Sequence, residues 1–264
     1  DLKPAKALGQ NFVIDANVCR KIVRTAGVAS GDVALEIGPG LGSLTLALME
    51  EAASVIAVEI DSRLANQLPL TAALHSDRSE ILTVINQDAL QVKSLPGDPT
   101  VLVANLPYNV SVPVFLHLLE ILPTLRSGVV MVQAEVADRL AAKPNTKEYG
   151  IPSVKAAWWA DVTGAGSVSR SIFWPAPNVD SKLVGFTRRE TAGPEQMREK
   201  VFTIIDAAFA QRRKMLRSAL SSLYGSSSAA EAILINAGID PTLRGEALQV
   251  ESFCKIAAVA PDIF

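Results

Sequence analysis

The chain has 264 residues, of which 49% are hydrophobic, 20% are charged and only 5% are aromatic. A chain of this size and composition can bury a core as one or two domains, which excludes a disordered or fibrous protein. Its 25 Lys and Arg residues nearly balance its 27 Asp and Glu residues, and the net charge of -2 argues against indiscriminate binding to polyanions.

The composition also indicates the cellular compartment of the protein and whether it binds a metal. Charged residues or Gly interrupt every apolar stretch before the roughly 18 residues that a membrane span needs, so we expect a soluble, cytoplasmic protein without a membrane partner. Cys19 and Cys254 are far apart, which indicates a reducing compartment and no disulfide. His75 and His117 are isolated as well, so no cluster has metal-ligand spacing and no metal is expected.

Residues 33–134 repeat one theme, in which a short β-branched run ends in a polar or Gly turn and is followed by a helical stretch. This alternation predicts an α/β fold, with helices on both faces of a parallel sheet. Because the runs are continuously apolar, the strands are expected to be buried on both sides. The predicted strands are 33–37, 54–59, 81–85, 101–104, 129–132 and 183–186, with another near Trp158, Trp159 and Val162.

The periodicity becomes helical from about Pro194. The segment 188–194 has the composition of a linker. We therefore predict a catalytic domain over residues 1–190 and a smaller, all-helical domain over residues 191–264. The first helical stripe consists of Val201, Ile204, Ile205, Ala208 and Phe209.

Basic residues are unevenly distributed along the chain. Any one basic group is most often a solvated helix face, but several together favour a surface that contacts phosphates. In a continuous helix, Arg213 and Arg217 would lie one turn apart on the same face. The groups are Lys3 and Lys6; Arg20, Lys21 and Arg24; Arg188 and Arg189; and, most densely, Arg212, Arg213, Lys214 and Arg217.

A glycine-rich turn follows the first predicted strand. Gly38, Gly40 and Gly42 would let the backbone turn tightly and approach a ligand closely. Their G-x-G-x-G spacing, with Pro39 in the first gap, differs from the G-x-G-x-x-G of dinucleotide sites and favours a different adenosine cofactor. A glycine-rich turn without a ligand is the alternative.

Acidic residues follow the next two strands. Glu59 lies 21 residues after Gly38, where a carboxylate can accept hydrogen bonds from both hydroxyls of a ribose, although dehydrogenases place an acid similarly. Asp88 can accept from the amino group of an adenine at the same edge of the sheet. The set predicts an S-adenosylmethionine site that includes the adjoining Ile60 and Ala89, whereas either acid alone is equally consistent with a helix cap.

The tetrapeptide Asn105-Leu106-Pro107-Tyr108 follows the fourth strand and predicts the chemistry. The lone pair of an adenine amine is delocalised into the ring, so an enzyme must hold the amine and direct that lone pair at the methyl donor. The Asn105 side-chain oxygen and the Leu106 carbonyl can each accept one N–H. Pro107 would fix the turn, and Tyr108 would stack on the base. Positioning of this kind can lower a reaction barrier by about 7 to 11 kcal/mol. The alternative interpretation of the tetrapeptide is an ordinary turn after a buried strand.

A second element carries Phe173. Pro175 and Pro177 stiffen an extended loop, so Phe173 is predicted to face Tyr108 and to sandwich an extruded base. A simple packing anchor is the alternative.

Together these motifs resemble the KsgA/RsmA family of ribosomal RNA adenine dimethyltransferases, most closely its bacterial small-subunit branch. The resemblance implies a Rossmann-like class I S-adenosylmethionine-dependent methyltransferase domain and a monomeric enzyme. The implied reaction transfers two methyl groups to each of two adjacent adenosines near the 3′ end of 16S rRNA, in a nearly assembled 30S subunit. The motifs are residues 8–13, 36–42, 105–108, 173–181 and 210–214.

The resemblance also implies roles for individual residues. The family usually has Leu where Val13 stands, a change that conserves volume and is expected to be harmless. The acidic balance of the chain is the other departure and concerns the strength of RNA binding. By position, Asn11 and Val13 would touch the cofactor from the amino-terminal segment, Gly38 and Gly40 its methionine side, Glu59 its ribose and Asp88 its adenine, while Asn105 would lie between cofactor and target.

Three alternatives stay open. A 23S rRNA adenine methyltransferase shares the fold and chemistry, but those enzymes more often have Ile at the position of Leu106, and the complete 173–181 element favours the small-subunit branch. A dehydrogenase would need a hydride-handling residue, and neither His75 nor His117 follows a predicted strand. An assembly factor that grips the immature subunit is compatible with methylation.

Overall fold

The computed structural model describes residues 11–262. Motif residues 8–10 and the basic residues Lys3 and Lys6 therefore lie outside the described residues. The strands are β1 (Phe12–Val13), β2 (Val33–Ile37), β3 (Ser54–Glu59), β4 (Leu82–Asn86), β5 (Val101–Asn105), β6 (Ser127–Gln133), β7 (Ala160–Val168), β8 (Phe173–Trp174) and β9 (Ser181–Arg188). The α-helices are α1 (Ala16–Thr25), α2 (Ser43–Glu51), α3 (Ser62–His75), α4 (Ser111–Ile121), α5 (Ala134–Leu140), α6 (Ile151–Ala156), α7 (Arg198–Ala210), α8 (Leu216–Ala219), α9 (Ser221–Tyr224), α10 (Ser227–Asn236) and α11 (Val250–Val259).

Seven strands form the central sheet in the order β4-β3-β2-β5-β6-β9-β7. The strands from β4 to β6 are parallel, as the alternating pattern predicts, and β9 runs antiparallel to β6. After β2, the chain adds β3 and β4 on one side of that strand and later adds β5 and β6 on the other side, so the direction in which strands are added reverses at β2. In sheets of this kind, ligands bind at the carboxyl ends of the strands beside such a reversal.

Continuous burial is confirmed for β2, β3, β5 and β6, but it is wrong for β4, which lies at the edge of the sheet and has no buried residue. The inner residues of β3 and β5 are almost completely buried, and helices α1 and α2 pack together over an apolar core that includes Cys19, Leu48 and Met49. Because β-branched side chains fit a sheet covered on both faces, the apolar runs specify these strands without an alternating pattern.

A separate two-stranded sheet joins distant parts of the chain. Strands β1 and β8 are antiparallel, with Phe12 opposite Trp174 and Val13 opposite Phe173. The rings of Phe12 and Trp174 stack with their centroids 6.3 Å apart and an interplanar angle of 22°. This pairing fixes the amino-terminal segment 11–14 against the 173–181 element.

The described chain divides into two compact units. The first contains the residues up to Ala137 together with Thr163–Arg188, and the second contains Asp138–Val162 and the residues from Arg189 onward. The chain passes from the first unit to the second for the last time after Arg188, close to the predicted boundary at residue 190. The segment Asp138–Val162 lies within the predicted first domain but belongs to the second unit.

Contacts within the second unit explain this assignment. The Tyr149 hydroxyl donates to the Leu248 carbonyl at 2.7 Å. Trp158 and Trp159 pack edge-on against Phe202, with ring centroids 6.0 and 5.5 Å apart. The strand predicted around these two tryptophans begins after them, at Ala160.

Of the helices formed by residues 11–262, none has both the length and the apolar character needed to cross a membrane.

Candidate active site

A cavity of about 100 Å³ opens at the carboxyl ends of β2, β3 and β5. All the predicted catalytic and cofactor-binding residues except Val13 and Phe173 line it. The predicted residues brought together are Asn11, Gly38, Gly40, Glu59, Ile60, Asp88, Ala89, Asn105, Leu106, Pro107 and Tyr108.

The glycine turn forms the floor of the cavity beside β2. Gly38 and Gly40 have φ values of +67° and +57°, which L side chains rarely adopt. A Cβ atom at Gly40 would lie 2.6 Å from the Phe12 ring, so the ring covers the turn only because this residue has no side chain. The backbone here is shaped for close approach by a ligand.

Glu59 connects the glycine turn to the end of β3. Its carboxylate accepts hydrogen bonds from the backbone N–H of Gly40 at 3.1 Å and from that of Asp61 at 2.9 Å. Burial raises the pKa of Glu59, and these two hydrogen bonds oppose the rise. A carboxylate has about four acceptor positions, so it can still accept from further hydroxyl groups.

Asp88 lines the cavity and also caps a short helical turn. Its carboxylate accepts from the backbone N–H of Leu90 at 2.9 Å. The capping alternative raised from the sequence is therefore true, and it is compatible with a second role because the same side chain faces the cavity.

The Asn105 amide has a defined orientation. Its Nδ2 donates to the Asn11 carbonyl oxygen at 3.0 Å. Because the nitrogen must face that acceptor, the amide oxygen is the group available to the cavity. The next residue is also fixed, since the Leu106 N–H donates to the Met131 carbonyl at 3.0 Å.

Tyr108 is held from the opposite end of its ring. Its hydroxyl is 2.8 Å from the Ser181 hydroxyl at the start of β9. Burial raises the pKa of Tyr108, while the Ser181 hydrogen bond and the nearby Arg170 charge oppose the rise. The neutral ring is thus fixed as one wall of the cavity.

The structure does not place Phe173 opposite Tyr108. Phe173 is only 4% exposed and packs in the hydrophobic core with Ile172 and Leu183. Neighbouring residues on a strand point to opposite sides, so Trp174 is the exposed aromatic residue of β8. Val13, opposite Phe173, is also a core residue, and it lines a smaller cavity of about 30 Å³ beside the glycine turn.

Phe12 and Glu36 are among the lining residues that were not singled out from the sequence. Phe12 lines both cavities, but nothing in its spacing indicates this. Glu36 lines the smaller cavity and accepts a hydrogen bond from the Thr45 hydroxyl at 2.6 Å. Burial, strengthened by the charge of Glu59, raises the pKa of Glu36 to about 8. The sequence feature that could have identified Glu36 is a carboxylate within an otherwise apolar strand.

The predicted RNA-binding residues lie in the second unit, and they differ in whether a carboxylate already pairs with the side chain. Arg212 pairs with Glu246 at 2.8 Å, and Arg217 pairs with Glu231 at 3.2 Å. Arg213 and Lys214 are exposed and make no ion pair with another described residue.

The expected helical turn from Arg213 to Arg217 is wrong. Helix α7 ends at Ala210 and α8 begins at Leu216, so the residues between them are not helical. The backbone N–H of Leu216 donates instead to the Leu243 carbonyl at 2.7 Å, which holds this segment against the loop before α11.

No group of three or more His, Cys, Asp or Glu side chains within residues 11–262 is arranged to hold a metal ion.

The fold and the cavity define the class of protein. A sheet of parallel strands with β9 antiparallel to β6, a glycine turn after β2 and acids at the ends of β3 and β4 are the features of a class I S-adenosylmethionine-dependent methyltransferase. The chain resembles a dimethyladenosine transferase from Plasmodium falciparum, with a TM-score of 0.77, 24% identity and coverage of 93% of this chain and 95% of that one. It also resembles the 23S rRNA methyltransferase ErmE, with a TM-score of 0.69, 26% identity and coverage of 94% and 98%.

Sequence comparison gives the particular family. The family described as ribosomal RNA adenine dimethylase matches residues 2–262, and the chain belongs to it. The ribosomal RNA small subunit methyltransferase A of Leifsonia xyli subsp. xyli is 60% identical over 97% of this chain and 92% of its own length. The protein of the same name from Streptomyces avermitilis is 58% identical, with 97% and 88% covered. The chain is an S-adenosylmethionine-dependent rRNA adenine dimethyltransferase, which confirms the fold class, activity and cofactor expected from the motifs.

Proposed function

We propose that this enzyme dimethylates N6 of two adjacent adenosines near the 3′ end of 16S rRNA within the 30S subunit. The choice of the small subunit rests on the names of the relatives at 60% and 58% identity, which far exceeds the 26% identity to the 23S enzyme. The proposed enzyme is monomeric and works in the cytoplasm, where ribosomal particles are found.

The cavity fits S-adenosylmethionine. The bare backbone of Gly38 and Gly40 admits the methionine part, Glu59 has acceptor positions for the ribose hydroxyls, and Asp88 can accept from the adenine amine. Ile60 and Ala89 supply apolar surface at the same edge. When bound, this cofactor supplies an electrophilic methyl group on a sulfonium sulfur.

The observation that carries the chemistry is the hydrogen bond from Asn105 to the Asn11 carbonyl. It holds the amide so that its oxygen can accept one N–H of the target amine, while the Leu106 carbonyl accepts the other. The nitrogen lone pair then points away from both acceptors and toward the methyl donor. The ring of Tyr108, fixed through Ser181, stacks on the base.

Proton transfer requires no buried base in this arrangement. The new nitrogen–carbon bond would form as the carbon–sulfur bond of the sulfonium breaks and a neutral thioether leaves. The methylated nitrogen would then be acidic and would release its proton to water. Glu36 does not serve as an acceptor in this scheme, because it is almost completely buried and its carboxyl group is already hydrogen-bonded to the Thr45 hydroxyl.

For RNA binding, the proposal assigns the phosphate contacts to Arg213 and Lys214. These side chains are exposed in the second unit, whereas Arg212 and Arg217 are already held by carboxylates. A cation that is free to meet a phosphate releases counterions on binding, so these two residues contribute most to the salt dependence.

The experiment is incubation with 30S particles that lack these methyl groups and with methyl-labelled S-adenosylmethionine, followed by mapping of the labelled nucleosides. The expected result is N6,N6-dimethyladenosine at two adjacent positions of 16S rRNA. Matched large-subunit particles and an Asn105→Ala variant serve as controls. Label in 23S rRNA, or at isolated 16S positions, would contradict the proposed substrate.

A further inference from the structure

Trp174 is the exposed tryptophan of this protein. Of the three tryptophans in the chain, Trp158 and Trp159 are buried, whereas Trp174 is 48% exposed. An exposed indole forgoes the large stabilisation that burial of an aromatic side chain provides, so its exposure calls for an explanation.

Trp174 is fixed beside the cofactor cavity. Its ring stacks on Phe12, which lines the cavity together with Asn105, and the two residues are also paired across β1 and β8. Phe12 is in turn packed over the glycine turn at Gly40. The indole therefore presents a rigid aromatic surface to solvent, one residue away from the wall of the cavity.

A positive charge lies on the same segment. Arg170, whose side chain is 46% exposed, pairs with Asp180 at 2.6 Å, and its charge acts on the Tyr108 hydroxyl in the cavity wall. Asp180 already pairs with this cation, just as Glu246 and Glu231 pair with Arg212 and Arg217, so the exposed indole is the group of this segment that can stack on a base of single-stranded nucleic acid. A partner protein that docks as an added strand or as a helix would require a broader apolar face than a single indole provides.

We propose that Trp174 is a stacking subsite for the unpaired nucleobase that adjoins the target adenosine. This inference rests on the proposed function, since its ligand is the RNA strand that enters the cavity. With two adjacent adenosines as substrate, one base occupies the cavity beside Tyr108 while its neighbour stacks on the indole. Stacking accepts any base, so the subsite contributes affinity and not sequence choice.

The test compares Trp174→Ala with Trp174→Phe on unmethylated 30S particles. Loss of one base stack, worth about 1–3 kcal/mol, is expected to raise KM for the particle by about fivefold to 150-fold in Trp174→Ala, and by no more than about threefold in Trp174→Phe, which keeps an aromatic face. The kcat at saturating particle concentration and the Kd for S-adenosylmethionine stay within about twofold of wild type. Leu74→Ala, an exposed apolar residue of α3, serves as the matched control and leaves all three values unchanged.

Two results would overturn the subsite. An unchanged KM in Trp174→Ala shows that no base stacks there, and a Kd for S-adenosylmethionine that rises as much as KM shows that Trp174 acts only by packing on Phe12. Both outcomes leave the proposed substrate intact as long as wild-type enzyme methylates the particle. Failure of the wild-type enzyme to methylate 30S particles would instead contradict the proposed function.

A binding measurement covers the case in which the Ala variant does not fold. A short oligoriboadenylate is titrated into the wild-type protein while tryptophan fluorescence is recorded. Stacking on Trp174 predicts saturable quenching in wild type that disappears in Trp174→Phe, whose remaining tryptophans are buried. Equal quenching in both proteins would place the contact elsewhere and refute the subsite.

Discussion

Replacement of Glu36 by Gln tests how the buried carboxyl group beside the glycine turn affects stability. Glu36 is 1% exposed, the lowest value among the buried acidic residues of the described chain. Gln has nearly the same shape, and its amide oxygen can still accept the hydrogen bond from the Thr45 hydroxyl. The change therefore removes the titrating group and little else.

The sign of the effect follows from the raised pKa. The folded protein keeps the proton on Glu36 up to about pH 8, whereas the unfolded chain releases it near 4.5. Stability from this group is fully present below pH 4.5 and is lost as the pH rises toward 8. At about 1.4 kcal/mol for each pKa unit, the loss is on the order of 5 kcal/mol.

The assay is urea unfolding of the unliganded wild-type and Glu36→Gln proteins, followed by circular dichroism from pH 5 to pH 8. The variant is expected to gain stability relative to wild type steadily across this range. Glu50→Gln is the control in which the change in stability has the opposite sign. The Arg20 hydrogen bond and charge lower the pKa of Glu50, so this variant is expected to be less stable than wild type. A stability difference between wild type and Glu36→Gln that does not change with pH would refute the reasoning.

The remaining predictions concern the cofactor cavity and the RNA surface. Asn105→Ala should lower kcat by a factor that corresponds to about 2 kcal/mol or more, while the affinity for S-adenosylmethionine, measured by calorimetry, falls less. Gly40→Ala should weaken cofactor binding, because the new Cβ would meet the Phe12 ring at 2.6 Å and positive φ costs about 1 to 2 kcal/mol. Gly31→Ala, with open space around it, is its control. Charge reversal at both Arg213 and Lys214 should weaken RNA binding and reduce the salt slope by roughly two, as measured by filter binding.

Each of these predictions has a clear contrary result. Equal losses in kcat and cofactor affinity in Asn105→Ala would argue against a role in positioning the target amine. Normal cofactor binding by Gly40→Ala would show that the ligand does not approach this turn. An unchanged salt slope would move the phosphate contacts elsewhere, and Arg217→Glu offers the comparison, since its loss of the Glu231 partner should lower stability instead.

The parts of the fold that could be predicted are those determined by local pattern. The central strands are continuous β-branched runs, and each short motif occupies the turn that follows such a run. Because parallel strands end at one edge of a sheet, the motifs at Gly38, Glu59, Asp88 and Asn105 were expected to meet, and they line one cavity.

The parts that could not be predicted depend on contacts between distant residues. Strands β1 and β8 have two residues each and are separated by most of the chain, so no periodicity indicates their pairing. Only that register decides that Phe173 enters the core while Trp174 stays exposed. In the same way, partners such as Glu246 and Glu231 decide which basic side chains remain available, and charge counting cannot detect them.

A crystal structure of the enzyme with S-adenosylmethionine tests the central claim most directly. We expect the ribose hydroxyls on the Glu59 carboxylate, the adenine amine at Asp88, and the methyl group facing the amide oxygen of Asn105. A cofactor bound outside this cavity, or an Asn105 amide turned so that its nitrogen faces the methyl group, would contradict this claim.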